Sequence, residues 1–178
     1  SSTVTSDDSF ISCGATCTKT YDLASPATSV VLTANPTTGY RLVSWSGGGC
    51  SGSGATCTVS MSEARTVTAT FVQTYDLAVS TSGAGSGTVT SGDAFIDCGA
   101  TCSRTYDLTS PATQVTLTAT AAVGSRFTGW SGSGAVAAGC TTASTCTVTM
   151  SADRTVVATF IQTFTLTVST SGGGASTV

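Results

Sequence analysis

Histidine is absent from this chain, which removes the commonest general base and metal ligand. Serine does not replace it, because a catalytic triad needs its base and no Gly-x-Ser-x-Gly elbow lies between a strand and a helix. Neither a helix nor a lysine follows the glycine-rich loops, so they do not match a phosphate-binding loop. We therefore expect no catalytic site and no cofactor, and we expect that the protein is not an enzyme.

Charged residues are also scarce, at 8% of the chain against roughly 25% in an ordinary soluble domain. The six Lys and Arg side chains are scattered and the net charge is −3, which argues against nucleic acid as a partner. No apolar run approaches the roughly 20 residues that cross a bilayer, and no signal peptide is visible. A surface kept wet by Ser, Thr and Gly suits a secreted protein.

Asparagine occurs once, as Asn35, and the following proline excludes an N-linked glycan there. O-linked glycans remain an expectation, since hydroxyls line the outward faces of two segments, at Thr66, Thr68, Thr70, Thr116 and Thr118. The alternative is that these threonines reflect β propensity alone.

The chain consists mainly of two sequence repeats. Trp45 and Trp130 lie 85 positions apart, and after them the spacing grows to 89, as between Phe71 and Phe160. A small insertion near residues 135–138 accounts for the difference. We predict a first repeat at 1–72 that lacks its first strand, a second repeat at 73–161, and the first strand of a following repeat at 162–178.

Eight cysteines fall as two pairs per repeat, which indicates disulfides formed in an oxidising compartment. The insertion moves Cys140 away from Trp130, yet Cys146 follows at nearly the old distance, so cysteines that shift together are expected to be bonded together. The predicted bridges are Cys13 to Cys17, Cys50 to Cys57, Cys98 to Cys102 and Cys140 to Cys146. A four-cysteine zinc site is the alternative.

Apolar and polar residues alternate with a period of two in each repeat, as in Val115, Leu117 and Ala119 between threonines. About six short strands per repeat follow, with no helical period, so the fold class is all-β. We expect hairpins where turn residues separate two strands, at Pro36 to Gly39 and at the loop SGAGSG.

In order, the second repeat reads Val-Thr-Leu-Thr-Ala, GSRFTGWSG at residues 124–132, Cys-Thr-Val-Thr-Met and Arg-Thr-Val-x-Ala-Thr-Phe. This order resembles a divergent internalin-type B-repeat, the bacterial surface repeat of the Listeria-Bacteroides kind. The resemblance implies two tandem small β modules, β-grasp-like or small β-sandwiches, at a bacterial cell surface or secreted. It also implies a role as spacer, stalk or adhesive segment. The two cysteine pairs per repeat and the lack of a helical segment depart from that pattern.

Two sets of residues are weighed as ligand contacts. Trp45 and Trp130 would be glycan contacts if their rings were exposed, but one tryptophan beside the same Gly-Ser-Gly loop in each repeat favours packing. Calcium is the second candidate ligand, with the acidic residues Asp7, Asp8, Asp22, Asp93, Asp97 and Asp107. Calcium takes six to eight oxygens, and these carboxylates are sparse, so we predict no metal site.

The tail repeats the strand pattern of residues 74–82 at residues 163–171, with Phe164, Leu166 and Val168 on one face. The first repeat starts at Ser1 without such a strand, so an edge is left open where the tail of another molecule could add. A contact of this kind is head-to-tail and generates a filament. A covalently continuous tandem array would have the same geometry.

The sequence therefore predicts a structural subunit of an extracellular fibre or stalk, whose partners are other molecules of itself. The alternative from another functional class is a carbohydrate-binding or adhesive accessory module of a larger secreted protein. Long uniform filaments in negative stain would favour the first, and a monomer that binds a glycan would favour the second.

Overall fold

A computed structural model describes residues 1–14, 17–22, 28–98, 102–109 and 111–171 of the chain. The chain divides into two compact units. The first comprises Ser1–Asp76, Thr105–Thr113 and Met150–Ala152, and the second comprises Leu77–Arg104, Gln114–Thr149 and Asp153–Val178. Nearly all regular structure is strand, so the all-β prediction is confirmed.

The first unit contains two small sheets. Its strands are β1 (Thr3–Ser6), β2 (Ser12–Cys13), β3 (Ser29–Asn35), β4 (Tyr40–Ser46), β5 (Thr56–Ser60) and the first part of β6 (Thr68–Ser82). One sheet has the order β2-β1-β3-β5, with every neighbouring pair antiparallel. In the other sheet β4 pairs antiparallel with residues 68–73 of β6.

The second unit has a similar plan and includes residues 77–82 of β6. The remaining elements of the chain are β7 (Gly87–Ser91), β8 (Ser103–Asp107, of which residues 105–107 belong to the first unit), β9 (Gln114–Ala121), β10 (Ser125–Ser131), α1 (Ser133–Ala138), β11 (Thr145–Thr149) and β12 (Arg154–Gln162). One sheet has the order β11-β9-β7. In the other, β12 pairs antiparallel with β10 and parallel with residues 77–82 of β6.

The core of each unit lies between its two sheets, because the inward residues of every alternating strand face the opposite layer. In the first unit Val30 and Leu32 of β3 cluster with Trp45 of β4 and Val59 of β5. In the second unit Leu117, Val148 and Phe160 are fully or almost fully buried. The two-residue alternation read from the sequence thus gives the buried faces.

The two expected hairpins are wrong. After the turn at residues 36–39, β4 pairs with β6 instead of with β3, and after SGAGSG β7 pairs with β9 instead of with β6. Each turn therefore carries the chain from one sheet to the other. Trp45 of β4 explains the first case, since its indole must reach the core from the layer opposite Val30 and Leu32.

The expected absence of helix also needs a correction. The insertion of the second repeat forms the six-residue helix α1, which ends at Gly139 with a left-handed φ of 68°. Six residues are too few to display a helical period in the sequence. Among the described residues, no helix has both the length and the apolar character that crossing a membrane requires.

Over residues 164–171 the predicted C-terminal strand is not paired, although Gln162 still pairs with Ser125 and the Thr163 N–H donates to the Gly124 carbonyl at 2.8 Å. β12 ends at Gln162, and residues 163–171 lie outside the strands. An isolated strand is unstable without a neighbour, so this segment remains a strand only as a prediction that requires a partner. Residues 172–178 of the same predicted segment lie outside the described residues.

Candidate functional site

Each tryptophan anchors the glycine-rich loop that follows it. The indole N–H of Trp45 donates a hydrogen bond to the Gly54 carbonyl at 2.7 Å, and that of Trp130 donates to the Ala143 carbonyl at 2.8 Å. Both side chains are buried, at 3% and 8% exposure. Rings buried to this degree offer almost no face for a sugar, so the structure favours packing over glycan contact.

The disulfides close the same loops and the turns before them. The structure bonds Cys13 to Cys17, Cys50 to Cys57, Cys98 to Cys102 and Cys140 to Cys146. All eight sulfurs are used in these bridges, whereas a zinc site would require free thiolates. Cys50 and Cys57 flank the loop on which the Trp45 indole is anchored, so bridge and indole restrain one segment together.

Three of the acidic residues, Asp7, Asp8 and Asp93, lie in turns. The Asp8 carboxylate accepts hydrogen bonds from the Ser6 hydroxyl, the Tyr21 hydroxyl at 2.6 Å and the Phe10 N–H at 3.1 Å. The Ser6 bond, followed by the Tyr21 bond, lowers the pKa of Asp8 below 3.8. Burial, followed by the bond to Asp8, raises the pKa of Tyr21 to about 12. Asp93 closes the corresponding turn of the second repeat in the same way.

These hydrogen bonds engage the carboxylates of Asp8 and Asp93, two of the acidic residues considered as calcium ligands. Within the described ranges, no group of three or more His, Cys, Asp or Glu side chains is placed to hold a metal ion. The calcium alternative gains no support from this arrangement.

An open cleft in the first unit is the main candidate site. Its volume is about 490 Å³, large compared with the voids of a packed protein core, which rarely exceed one water molecule. Its walls are mainly apolar and come from both sheets of the unit; they include Val30, Leu32, Trp45, Val59, Val67 and Phe71.

A strand fills the corresponding place in the second unit. Residues 77–82 of β6 lie parallel to β12, with Leu77 opposite Arg154 and Val79 opposite Val156. Both apolar side chains are buried, at 0% and 4% exposure. On its other side β6 pairs with β8, and the Val79 N–H donates to the Cys102 carbonyl at 2.7 Å.

The edges of the first unit's cleft are less regular than their counterparts. Residues 65–67 lie outside strands, whereas their counterparts 154–156 belong to β12. Residues 18–22 also lie outside strands, whereas their counterparts 103–107 form β8. The segments that flank the filled position in the second repeat thus lie outside strands in the first.

Burial shows the same difference. Val67, Ala69 and Phe71 are only partly buried, together with Met61, Ile11 and Tyr21 around the same cleft. Their counterparts in the second sequence repeat are buried, namely Val156, Ala158, Phe160, Met150, Ile96 and Tyr106. The first unit therefore has an incomplete core at the position that β6 completes in the second.

The predicted inter-subunit residues are the most conspicuous exposed apolar group in the tail. Phe164 is 86% exposed, Leu166 88% and Val168 80%. They stand 89 positions after Tyr75, Leu77 and Val79 in the sequence, and the last two of these belong to the part of β6 that fills the second unit.

The Arg41–Asp107 ion pair was not predicted from the sequence. Within the first unit, which includes Thr105–Thr113, Arg41 Nε donates to Asp107 Oδ1 at 2.6 Å while its Nη2 donates to Oδ2. This bidentate contact raises the pKa of the Arg41 guanidinium. Both residues recur in the other repeat as Arg126 and Asp22, so the repeat spacing was the available signal.

The sequence of the chain matches a family model, and this match assigns the chain to a family. A model of the divergent InlB B-repeat domain matches residues 9–74 and again residues 75–163, which together cover most of the chain. The chain belongs to this family. Two B-repeats in tandem indicate a surface repeat module of a bacterial protein. No curated protein and no solved structure is similar enough to the chain to be matched.

The first and second B-repeats meet in sequence within β6. The family match changes repeat between residues 74 and 75, and the compact units change between Asp76 and Leu77. β6 is therefore the last strand of one B-repeat and the first strand of the next. Its second part has the pattern found again in the tail.

Proposed function

We propose that this chain is a structural segment of an extracellular or cell-surface fibre or stalk, whose units join head-to-tail by β-strand complementation or as a continuous tandem array. One observation carries the proposal. Residues 77–82 fill the second B-repeat beside β12, while an open cleft takes the corresponding place in the first. The tail segment, residues 163–171, of one molecule enters that cleft in the next molecule.

Equivalent positions define the expected register. Val168 has the place of Val79, which lies opposite Val156 in the second B-repeat. Since Val67 is the counterpart of Val156, the incoming Val168 should lie opposite Val67 in a parallel pair. Leu166, two residues earlier, then points to the same face of the sheet.

The driving force is burial of the apolar face of the tail. Leu77 and Val79, the counterparts of Leu166 and Val168, are buried, and full burial of each such side chain contributes about 1.5–3 kcal/mol. Phe164 adds less, because its counterpart Tyr75 is only partly buried. Ordering the tail backbone offsets part of this gain. The incoming strand also covers the partly buried Val67 and Phe71 and pairs with the open edges on both sides of the cleft.

A fibre outside the cell agrees with the composition. Bridges form and persist in oxidising compartments, and all eight cysteines are bonded. Tandem surface repeats with an uncharged Ser, Thr and Gly exterior suit a spacer or stalk, and no enzymatic step is part of the proposal. The threonines of the outward faces remain candidate sites of O-linked glycans.

Removal of residues 164–178 tests the proposal. The complete chain should form filaments in negative stain and sediment as a series of oligomers, whereas the shortened chain should sediment as one small species. A non-reduced digest should show the same four bridges in both chains, which controls for folding. Filaments that persist after the deletion, or a complete chain that never associates, would contradict the proposal.

A further inference from the structure

We infer that Arg126 of one molecule binds Asp22 of the next molecule in the fibre, forming a bidentate ion pair that fixes the head-to-tail register. The inference deepens the proposed strand complementation and rests on it. It assigns a partner to two charged residues in a chain in which charge is rare.

The Arg41–Asp107 pair of the first unit shows the geometry that we expect for this contact. Arg41 lies on β4 opposite Val72 of β6, and the Leu108 N–H donates to the Gln73 carbonyl at 2.7 Å. The two charged residues thus approach β6 from its two sides at neighbouring positions. A strand that continues from one B-repeat into the next therefore brings Arg and Asp together.

The counterparts of Arg41 and Asp107 in the other repeat are Arg126 and Asp22, and these two residues do not form an ion pair with each other. Arg126 on β10 lies opposite Ile161 of β12, the place that Arg41 takes on β4. Asp22 has the place of Asp107 in the first repeat. Both side chains are exposed, and within the part of the chain that the structure describes neither makes a hydrogen bond or ion pair.

Strand complementation would bring these two residues together. The tail segment continues directly from β12, so the donor's Arg126 stays beside the start of the incoming strand. In the acceptor, residues 18–22 flank that strand as β8 flanks β6 in the second unit. The acceptor's Asp22 then lies beside Gln162 of the donor, one residue from Ile161.

The contact would select the register as well as the partner. Sliding the incoming strand by one residue moves it by about 3.3 Å and turns Leu166 and Val168 away from the cleft. The same slip separates the guanidinium from the carboxylate by more than a hydrogen bond tolerates. Apolar face and ion pair therefore favour one alignment.

A charge-reversal cycle on the complete chain tests the inference. Arg126→Glu and Asp22→Arg each place like charges in contact, so each should weaken association by roughly fivefold at low salt. The double variant restores opposite charges and should associate within about twofold of the unaltered chain. Sedimentation at low and high salt measures the effect, which should shrink as salt screens the pair.

Arg104→Glu is the matched control, because it changes the net charge as Arg126→Glu does but lies on β8 against Phe95. It should leave association unchanged. If the unaltered chain associates while the two single reversals and the double variant all match it, the ion pair is overturned and strand complementation stands. A chain that does not associate at all overturns both.

Discussion

Replacing Leu166 by Asp is expected to abolish head-to-tail association. The counterpart Leu77 is fully buried in the second unit, and a carboxylate at that position would lie unpaired in an apolar cleft. Loss of the leucine contact and the cost of the buried charge together exceed about 3 kcal/mol, or roughly a 100-fold weaker association. Sedimentation of the complete chain carrying Leu166→Asp measures this loss.

Thr165→Asp provides a matched control one residue away. The counterpart of Thr165 in β6 is Asp76, which is exposed and accepts a hydrogen bond from Thr105 Oγ1 at 2.5 Å. The same acidic change on the outer face should therefore leave association intact. Equal effects of the two substitutions would contradict the proposed orientation of the tail.

Phe160→Ala is expected to destabilise the second unit much more than Phe71→Ala destabilises the first. Phe160 is fully buried and its truncation should cost roughly 3–5 kcal/mol, whereas Phe71 already lies beside an open cleft. For units of this size each kcal/mol lowers the melting temperature by about 4–8 °C. Calorimetry of a chain that lacks residues 164–178 compares the two variants without assembly.

Assembly should remove this difference. Once the cleft is filled, Phe71 is covered as Phe160 is, and the two truncations should cost similar amounts in the complete, associated chain. If Phe71→Ala and Phe160→Ala destabilised the shortened chain equally, the core of the first unit would be complete without a further strand.

Strands and inward faces follow from local rules, which is why sequence reasoning found them. Val115 and Leu117 alternate with threonines, and such alternation has one structural solution, a strand with one buried face. The family resemblance drawn from GSRFTGWSG was confirmed by the match over both repeats. The insertion in the second repeat gave the cysteine pairing that the structure also shows.

The strand order could not be predicted from the sequence, because a turn does not reveal whether the chain returns in the same sheet or crosses to the other. The turns before β4 and β7 cross, and only the packing of Trp45 against β3 shows why. The helix α1 was missed because six residues carry too short a pattern. Arg41 and Asp107 recur visibly in both repeats, but their contact depends on β6 lying between them.

Hydrogen exchange at residues 65–67 tests the central claim most directly. These residues lie outside strands beside the open cleft, so their amides should exchange quickly in the shortened chain, whereas in the assembled chain an incoming strand should protect them. Residues 154–156 of the second unit, already paired with β6, serve as an internal reference and should be protected in both samples. The account predicts strong protection of residues 65–67 on assembly alone; filaments in which that segment exchanges as fast as in the shortened chain would contradict it.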